Sequence, residues 1–438
     1  MKQVRNFRWI VAILLAVACG LSYFDRQVLS VLAPAITADL RTDNVGYSWV
    51  VFAFILGYST MLTMGGWIID RLGTRKGLAL SVAVWSLASL LHATAHSVFQ
   101  LGAYRLLLGI GEGGCFPGAV KGVLEWFPKK ERAVAMGFAT SGGSAIGAVI
   151  APPIVVWTAI HTGWRGAFLI TGLIGMVWLV AWLVLYRRPE VSSFVSEQER
   201  RYILEDAGLK LEGHQDSRGK VPWRALLKTR ELRGLITSRF LFDPVFYFYM
   251  FWIPQYLHQA RAASLEKIGQ LTWIPFLVLG LSSIFGGWIS DRLVQRGLSI
   301  NKARKGILVA SALITPVSLL IVPVHRIETA IALMSVFMFA HGFWITNYLT
   351  VIGDIFPVRV VATVVGLTGT AGGIGGYLST LVIGRVVQIF SFTPVFIASG
   401  VIYPICAVIL IITIREIRPL IIAEKQEPLR DMASLTNG

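Results

Sequence analysis

Gly65-Gly66-Trp67-Ile68-Ile69-Asp70-Arg71-Leu72 returns, with one residue changed, as Gly286-Gly287-Trp288-Ile289-Ser290-Asp291-Arg292-Leu293. The copies lie 221 residues apart in a chain of 438, and each closes an apolar run and opens a short basic loop. A second landmark repeats at an offset of 229: Phe127-Pro128, Ala133 and Gly137 against Phe356-Pro357, Ala362 and Gly366. At that offset Gly143 and Gly147 fall on Gly372 and Gly376. Two landmarks in one order point to a duplicated half, as six helices plus six related by an axis along a membrane normal.

Apolar residues make up 55% of the chain, charged residues 15%, and mean hydropathy is +0.66. Soluble domains carry about 25% charged residues, so most of this chain must face hydrocarbon or other buried helices. A bilayer span takes about 20 apolar residues. Twelve such runs are found near 8–32, 47–69, 78–96, 98–120, 133–157, 165–187, 233–258, 268–290, 306–323, 328–352, 362–388 and 392–414. The expected fold is therefore an all-α membrane protein. Trp9, Trp164, Trp252 and Trp273 lie near ends of these runs, where interfacial aromatics are expected.

The net charge of +16 raises the question of a nucleic-acid partner, and its distribution argues against one. With the N-terminus inside, 31 of the 40 Lys and Arg fall on the cytoplasmic side. Five fall outside (Arg41, Arg165, Arg261, Lys267, Arg326) and four within spans (Arg26, Arg105, Arg239, Arg385). This positive-inside asymmetry places both termini in the cytoplasm. Lys2, Arg5 and Arg8 before an apolar run imitate a signal peptide, but the run is long and eleven more follow, so it reads as an uncleaved first helix. Cys19, Cys115 and Cys406 lie within spans and read as small packing residues.

The polar stretch from Arg187 to Arg233 holds eleven basic residues and divides the halves. The expected organisation is a bundle at 1–188, a cytoplasmic linker at 189–232, a second bundle at 233–418 and a cytoplasmic tail at 419–438. Within the linker, Val195 to Leu204 has the pattern of a short amphipathic helix opened by a Ser cap.

The chain resembles the major facilitator superfamily over nearly its whole length. Gly66-Trp67-Ile68-Ile69-Asp70-Arg71-Leu72-Gly73-Thr74-Arg75-Lys76 fits that family's G-x-x-x-D-R-x-G-x-R-K loop signature, and the second copy degenerates after Leu293. Tyr23-Phe24-Asp25-Arg26, Arg105-x6-Glu112 and Glu125-Trp126-Phe127-Pro128-x3-Arg132 resemble the anion:cation symporter branch. Arg239-Phe240-Leu241-Phe242-Asp243-Pro244 and Trp252-Ile253-Pro254-x-Tyr256-Leu257 are most similar to its bacterial hexuronate transporters. The resemblance implies two six-helix bundles with alternating access. It implies import of an organic anion, such as a hexuronate or aldonate, by proton symport across the bacterial inner membrane.

Six intramembrane charges stand out: Asp25, Arg26, Arg105, Glu112, Arg239 and Asp243. Each costs about 2.5–3.5 kcal/mol at a helix centre, so such groups are paired or functional. Neighbours on a helix point about 100° apart, so Asp25 and Arg26 should find partners elsewhere. Tyr23, Arg26 and Ser30 share a face. Arg105 and Glu112 stand two turns apart on one face, with about 10 Å of rise. Enclosure among Gly109, Gly111, Gly113 and Gly114 disfavours a charge on Glu112, and a nearby arginine opposes that effect. Arg239 and Asp243 are at i and i+4 and can pair along their helix.

Resemblance assigns proton coupling to Asp25 and Glu112 and substrate contact to Arg26 and Tyr58. For Arg26, Arg105 and Arg239, a guanidinium that keeps its charge and grips a carboxylate bidentately suits an organic anion, with internal salt bridges as the alternative. A polyol also needs hydroxyl and amide partners around aromatic rings. Tyr23, His341, Trp344, Asn347, Tyr348, Thr368 and Thr370 are candidates, each weighed against plain packing. Where some family members carry Gln in span five, this chain has Gly143 beside Ser144. Asp70, Arg71, Arg75, Lys76, Asp291 and Arg292 would form the family's gating charge relay, an acid at a helix end paired with an arginine across a bundle.

His92 and His96, at i and i+4, offer only two ligands, so they read as interfacial and no metal is expected. No nucleotide-binding loop or nucleophile–base spacing is present, so neither an enzyme nor an ATP-driven pump is expected, and no cofactor beyond the proton. The expected partners are a small anion, protons and lipid, with a functional monomer. Two alternatives stay open: an organophosphate–phosphate antiporter, and a non-transporting anion receptor of the same fold.

Overall fold

The computed structural model describes residues 6–204 and 223–420. Residues 205–222 of the expected linker and 421–438 of the expected tail lie outside the described residues, as do Lys2 and Arg5. Among the described residues there are helices and no β-strand.

Twelve helical spans are present in the expected order. Span one is Phe7–Asp39, two turns longer than its apolar run. Spans two and three form Asn44–His92, broken at Gly73, whose φ of +76° is the left-handed conformation glycine tolerates. This gives the signature's second glycine its physical reason. In the second copy the corresponding turn comes later: span eight runs on to Gln295, and the positive φ falls on Gly297. That shift accounts for the degeneracy after Leu293.

Span four is Val98–Glu112 continued by Cys115–Trp126. Span five comprises Lys129–Gly137, a π-turn at Phe138–Gly142 and the helix from Gly143, which breaks at Gly163 to give span six, ending at Leu185. The second half has Arg230–Arg261 (seven), Leu265–Leu271 with Trp273–Gln295 (eight), and Ile300–Ile314 with the 3-10 segment Thr315–Ile321 (nine). Ile327–Ile355 (ten), Val358–Ile389 (eleven) and Thr393–Thr413 (twelve) complete it.

Spans alternate in direction, so Phe7, Leu185 and Arg230 mark one face of the bundle, the linker face, and Asp39 and Arg261 mark the far face. Among the described residues, seven helical segments are long and apolar enough to cross a membrane by length and composition alone. Spans four and seven are not among them, and these carry Arg105, Glu112, Arg239 and Asp243. Their polar groups are tolerated because they point into the protein rather than into lipid.

The halves meet on the far face. Asn44 Oδ1 accepts from Gln255 Nε2 (3.3 Å) and Gln259 Nε2 (3.1 Å), and its backbone N–H donates to Gln388 Oε1 (3.3 Å). Tyr47 donates to the Phe251 carbonyl at 2.7 Å and Ser30 to the Met250 carbonyl at 2.8 Å. Among the described residues, the hydrogen bonds between the halves cluster in this region. Trp252 is fully buried against Tyr47 and Phe392 at this seam, so it is not the interfacial anchor its position suggested.

The linker helix forms over 197–204, with Ser196 Oγ accepting from Glu199 N at 3.2 Å as its cap. Glu199 itself caps span one, accepting from the backbone N–H groups of Phe7 (2.9 Å) and Arg8 (3.1 Å). Arg8 bridges Glu199 and Glu131, tying the linker to spans one and five.

Candidate functional site

Close packing brings spans two and four together: a Cβ on Gly109 would lie 2.3 Å from the Phe54 carbonyl oxygen, so only glycine permits this approach. The approach sets Glu112 opposite span one. Arg26 Nε donates to Glu112 Oε2 at 2.8 Å, with both side chains buried. The pair is only half satisfied, since Arg26 Nη2 and Glu112 Oε1 are buried without hydrogen-bond partners. The Arg26 guanidinium lies over three rings, Tyr58 at 4.3 Å, Tyr23 at 4.6 Å and Phe54 at 5.4 Å. Such stacking holds a desolvated guanidinium in place.

Asp25 faces the other way, as the 100° rotation requires. Its Oδ1 accepts from Ser89 Oγ at 3.1 Å, and Ser89 is 3.0 Å from the Thr171 hydroxyl. Arg105 is fully buried, and its Nη1 and Nη2 each lie 3.4 Å from the Asp25 backbone carbonyl. Arg105 therefore braces the chain of span one, and Glu112, two turns along, takes Arg26 instead. Among the described residues the Asp25 carboxyl forms no ion pair within 4.0 Å.

In the second half Arg239 Nε donates to Asp243 Oδ2 at 3.1 Å, and Arg239 Nη1 reaches Thr368 Oγ1 at 3.4 Å. The neutral candidates of span ten pack around Phe242, which contacts His341, Trp344, Tyr348 and Tyr403. His341 Nδ1 bonds the Tyr403 hydroxyl at 2.6 Å, and Tyr348 donates to the Leu235 carbonyl at 2.8 Å. Asn347 Nδ2 donates to the Phe343 (2.9 Å) and Gly286 (3.2 Å) carbonyls. These three side chains are engaged within their own bundle; Thr370 is half-buried in span eleven. A side chain at position 143 would meet the Ala16 carbonyl oxygen 2.2 Å from its Cβ, so a glutamine has no room there. Ser144 beside it is buried with an unpartnered hydroxyl.

The repeated loop charges stand apart from this cluster. In this conformation Asp70 bonds a lysine, Lys121 Nζ to Asp70 Oδ1 at 2.7 Å. Asp291 does pair with an arginine, Arg304 of span nine, at 2.9 Å, and Arg304 also holds Asp354 at 3.1 Å and Ser290. Arg71 lies over the Trp67 ring at 3.9 Å, and Arg75 donates to the Leu183 carbonyl. His92 is buried and stacked on Phe168, which corrects its reading as interfacial.

Ser89, Thr171, Lys121, Arg304 and Asp354 join these clusters without being expected from the sequence. For Ser89 and Thr171 no signal existed, because hydroxyls are common in apolar helices. Asp354 was findable, since it lies 229 residues after Glu125, the same offset as the second landmark.

The Major Facilitator Superfamily profile matches residues 15–379. The hexuronate transporter of Escherichia coli (strain K12) is 30% identical over 96% of this chain and 97% of its own length. The D-galactonate transporter of Escherichia coli O6:H1 is 29% identical, covering 88% and 91%. A probable galactarate/D-glucarate transporter of Bacillus subtilis is also 29% identical, covering 93% and 92%. Among solved structures, an inward-facing, occupied bacterial homologue of the human lysosomal transporter Spinster superposes with a TM-score of 0.73 at 18% identity, covering 94% of this chain and 98% of that one. A D-xylose–proton symporter gives 0.71 at 15%, covering 92% and 97%. With the twelve spans, the repeated halves and the profile in agreement, the chain belongs to the Major Facilitator Superfamily of multi-pass membrane transporters.

Proposed function

We propose that this protein imports a sugar acid, of the hexuronate or aldonate class, together with protons across a bacterial inner membrane. The observation that carries the reading is the half-satisfied Arg26–Glu112 pair. A buried guanidinium edge and a buried carboxylate oxygen, both without partners, are costly unless a ligand or proton completes them. A substrate carboxylate is the natural partner for the open edge of Arg26, with Tyr23 and Tyr58 as its aromatic walls. Taking that edge would draw Arg26 from Glu112, which then needs a proton. The names of the sugar-acid relatives support the substrate class.

The charge asymmetry supports a cytoplasmic linker face, with both termini inside and domains divided at 1–188, 189–232 and 233–418. On that orientation the closed far face makes this conformation inward-facing. Asp25 and Glu112 carry protons; Arg26, Arg105 and Arg239 supply positive charge for the anion; Tyr23, Tyr58, His341, Asn347, Tyr348 and Thr370 shape the polyol site. Asp70, Arg71, Arg75, Asp291 and Arg292 set the balance between inward and outward states.

The test is purified protein in proteoliposomes with an imposed inward pH gradient, after a thermal-shift screen of glucuronate, galacturonate, galactonate and glycerol phosphate. Gradient-driven accumulation of one sugar acid is expected. Uptake that demands internal phosphate, or binding with no flux, overturns the reading.

A further inference from the structure

The arginine–carboxylate pair of span seven is not a copy of the one in the first half. Gly372 and Gly376 meet the side chains of Asp243 and Tyr247, where Gly143 and Gly147 meet the backbones of Ala16 and Gly20. The helix ends at Asp39 and Arg261, and the bond from Ser30 to the Met250 carbonyl across the seam, place Tyr247 near the level of Asp25 in span one. Asp243 lies four residues short of that level, about 6 Å nearer the linker face.

The fold makes specific room for this acid. A Cβ on Gly372 would lie 1.9 Å from Asp243 Oδ2, so the carboxylate occupies space that only a glycine leaves open. Its hydrogen-bonded cation is Arg239, whose Nη1 turns to Thr368 and whose guanidinium lies 5.9 Å from the Tyr348 ring. The side chains are 18% and 12% exposed, in contrast to the sealed Glu112. Around the pair stand Tyr247 on span seven, His341 and Tyr348 on span ten, and Tyr403 and Cys406 on span twelve. Span eleven presents glycine and threonine. Tyr247 is also within electrostatic reach of Arg26 and Tyr58 across the seam, which joins the two charge clusters through one side chain.

Resting on the proton-coupled reading above, we propose that Asp243 is a proton-carrying residue of the second half, exchanging its proton as the substrate and Asp243 compete for Arg239. A substrate oxygen that takes Arg239 Nε takes the donor that Asp243 now holds. Asp243, buried and left without its counter-ion, binds a proton to lose its charge. Once the linker face is open, Asp243 releases that proton there, recovers Arg239 and displaces the anion to the same side. Its placement toward the linker face suits a group that completes release.

The test compares wild type, D243N and D243E in proteoliposomes, measuring equilibrium accumulation of galacturonate at imposed pH gradients alongside counterflow exchange. Each coupled proton contributes about a factor of ten to accumulation per pH unit. D243N is expected to accumulate about tenfold less at one pH unit while keeping counterflow, and D243E to restore the wild-type ratio. A wild-type ratio in D243N overturns the proposal. So does loss of counterflow together with the galacturonate-induced thermal shift, which marks Asp243 as structural. A wild type that exchanges the sugar acid but ignores the pH gradient overturns the proton-coupled reading instead, so the two failures are told apart.

Discussion

Arg26 and Glu112 are joined by one hydrogen bond, Nε to Oε2 at 2.8 Å, while Nη2 and Oε1 of the same two side chains lie buried without partners. A fully bidentate pair would serve as a clamp between spans one and four. A pair with one bond made and one donor and one acceptor left over is poised to accept another group.

Replacing Glu112 with Gln keeps size and hydrogen bonding but removes the exchangeable charge. Gradient-driven accumulation should fall by at least about tenfold per pH unit while counterflow persists. Full accumulation by E112Q, measured in the same vesicles, would show that the proton travels elsewhere.

Arg26→Lys keeps the charge and loses the planar fork that lies over Tyr23 and Tyr58. An ammonium can neither stack equally nor grip a carboxylate with two parallel bonds. Half-saturation for the sugar acid should rise at least about tenfold, since a charge-assisted bond is worth about 1.5–3 kcal/mol. An unchanged value would place the anion away from Arg26.

Asn44 gathers Gln255, Gln259 and Gln388 at the far-face seam. Each such bond contributes about 0.5–1.5 kcal/mol, so Asn44→Ala should shift the balance between states about tenfold or more toward far-face opening. A cysteine at Ser48, which packs against Gly384, would report this as faster labelling by a membrane-impermeant maleimide. Equal labelling rates in both backgrounds would argue against the seam as a gate.

The linker clamp should respond to acid. Arg8, by its hydrogen bonds, and Tyr202 hold the Glu131 carboxyl below its ordinary range, against a smaller opposing effect of burial. A carboxyl depressed in the folded state contributes stability above its ordinary pKa of about 4.3, and that contribution is lost as pH falls through the lowered value. Amide exchange over 197–204 should therefore accelerate below about pH 4 relative to pH 7 once intrinsic rates are corrected, and Glu131→Gln should remove the difference.

Arg304 holds Asp291, Asp354 and Ser290 at once, joining spans eight, nine and ten near the linker face. Arg304→Ala leaves the half-buried Asp354 without its cation and should lower stability by about 2 kcal/mol, read as a drop in melting temperature. Lys at this position should recover only part of it, because one ammonium cannot match the geometry of the fork.

The sequence by itself determined the duplication, the twelve spans, their alternation and the position of the six buried charges. Those properties depend on hydropathy and local periodicity, which act along the chain. It also told that Asp25 and Arg26 must part company, because successive side chains on a helix diverge. Only the tertiary structure decided with whom each charge pairs. Glu112 takes Arg26 rather than Arg105, Asp25 takes Ser89, and Asp70 takes Lys121, because these choices depend on how closely helices approach and at what depth. That approach is set by small residues such as Gly109, Gly143 and Gly372, whose missing Cβ atoms admit a neighbour's backbone or carboxylate. A glycine in the sequence announces that room exists; which group fills it depends on the packing of spans far apart in the chain.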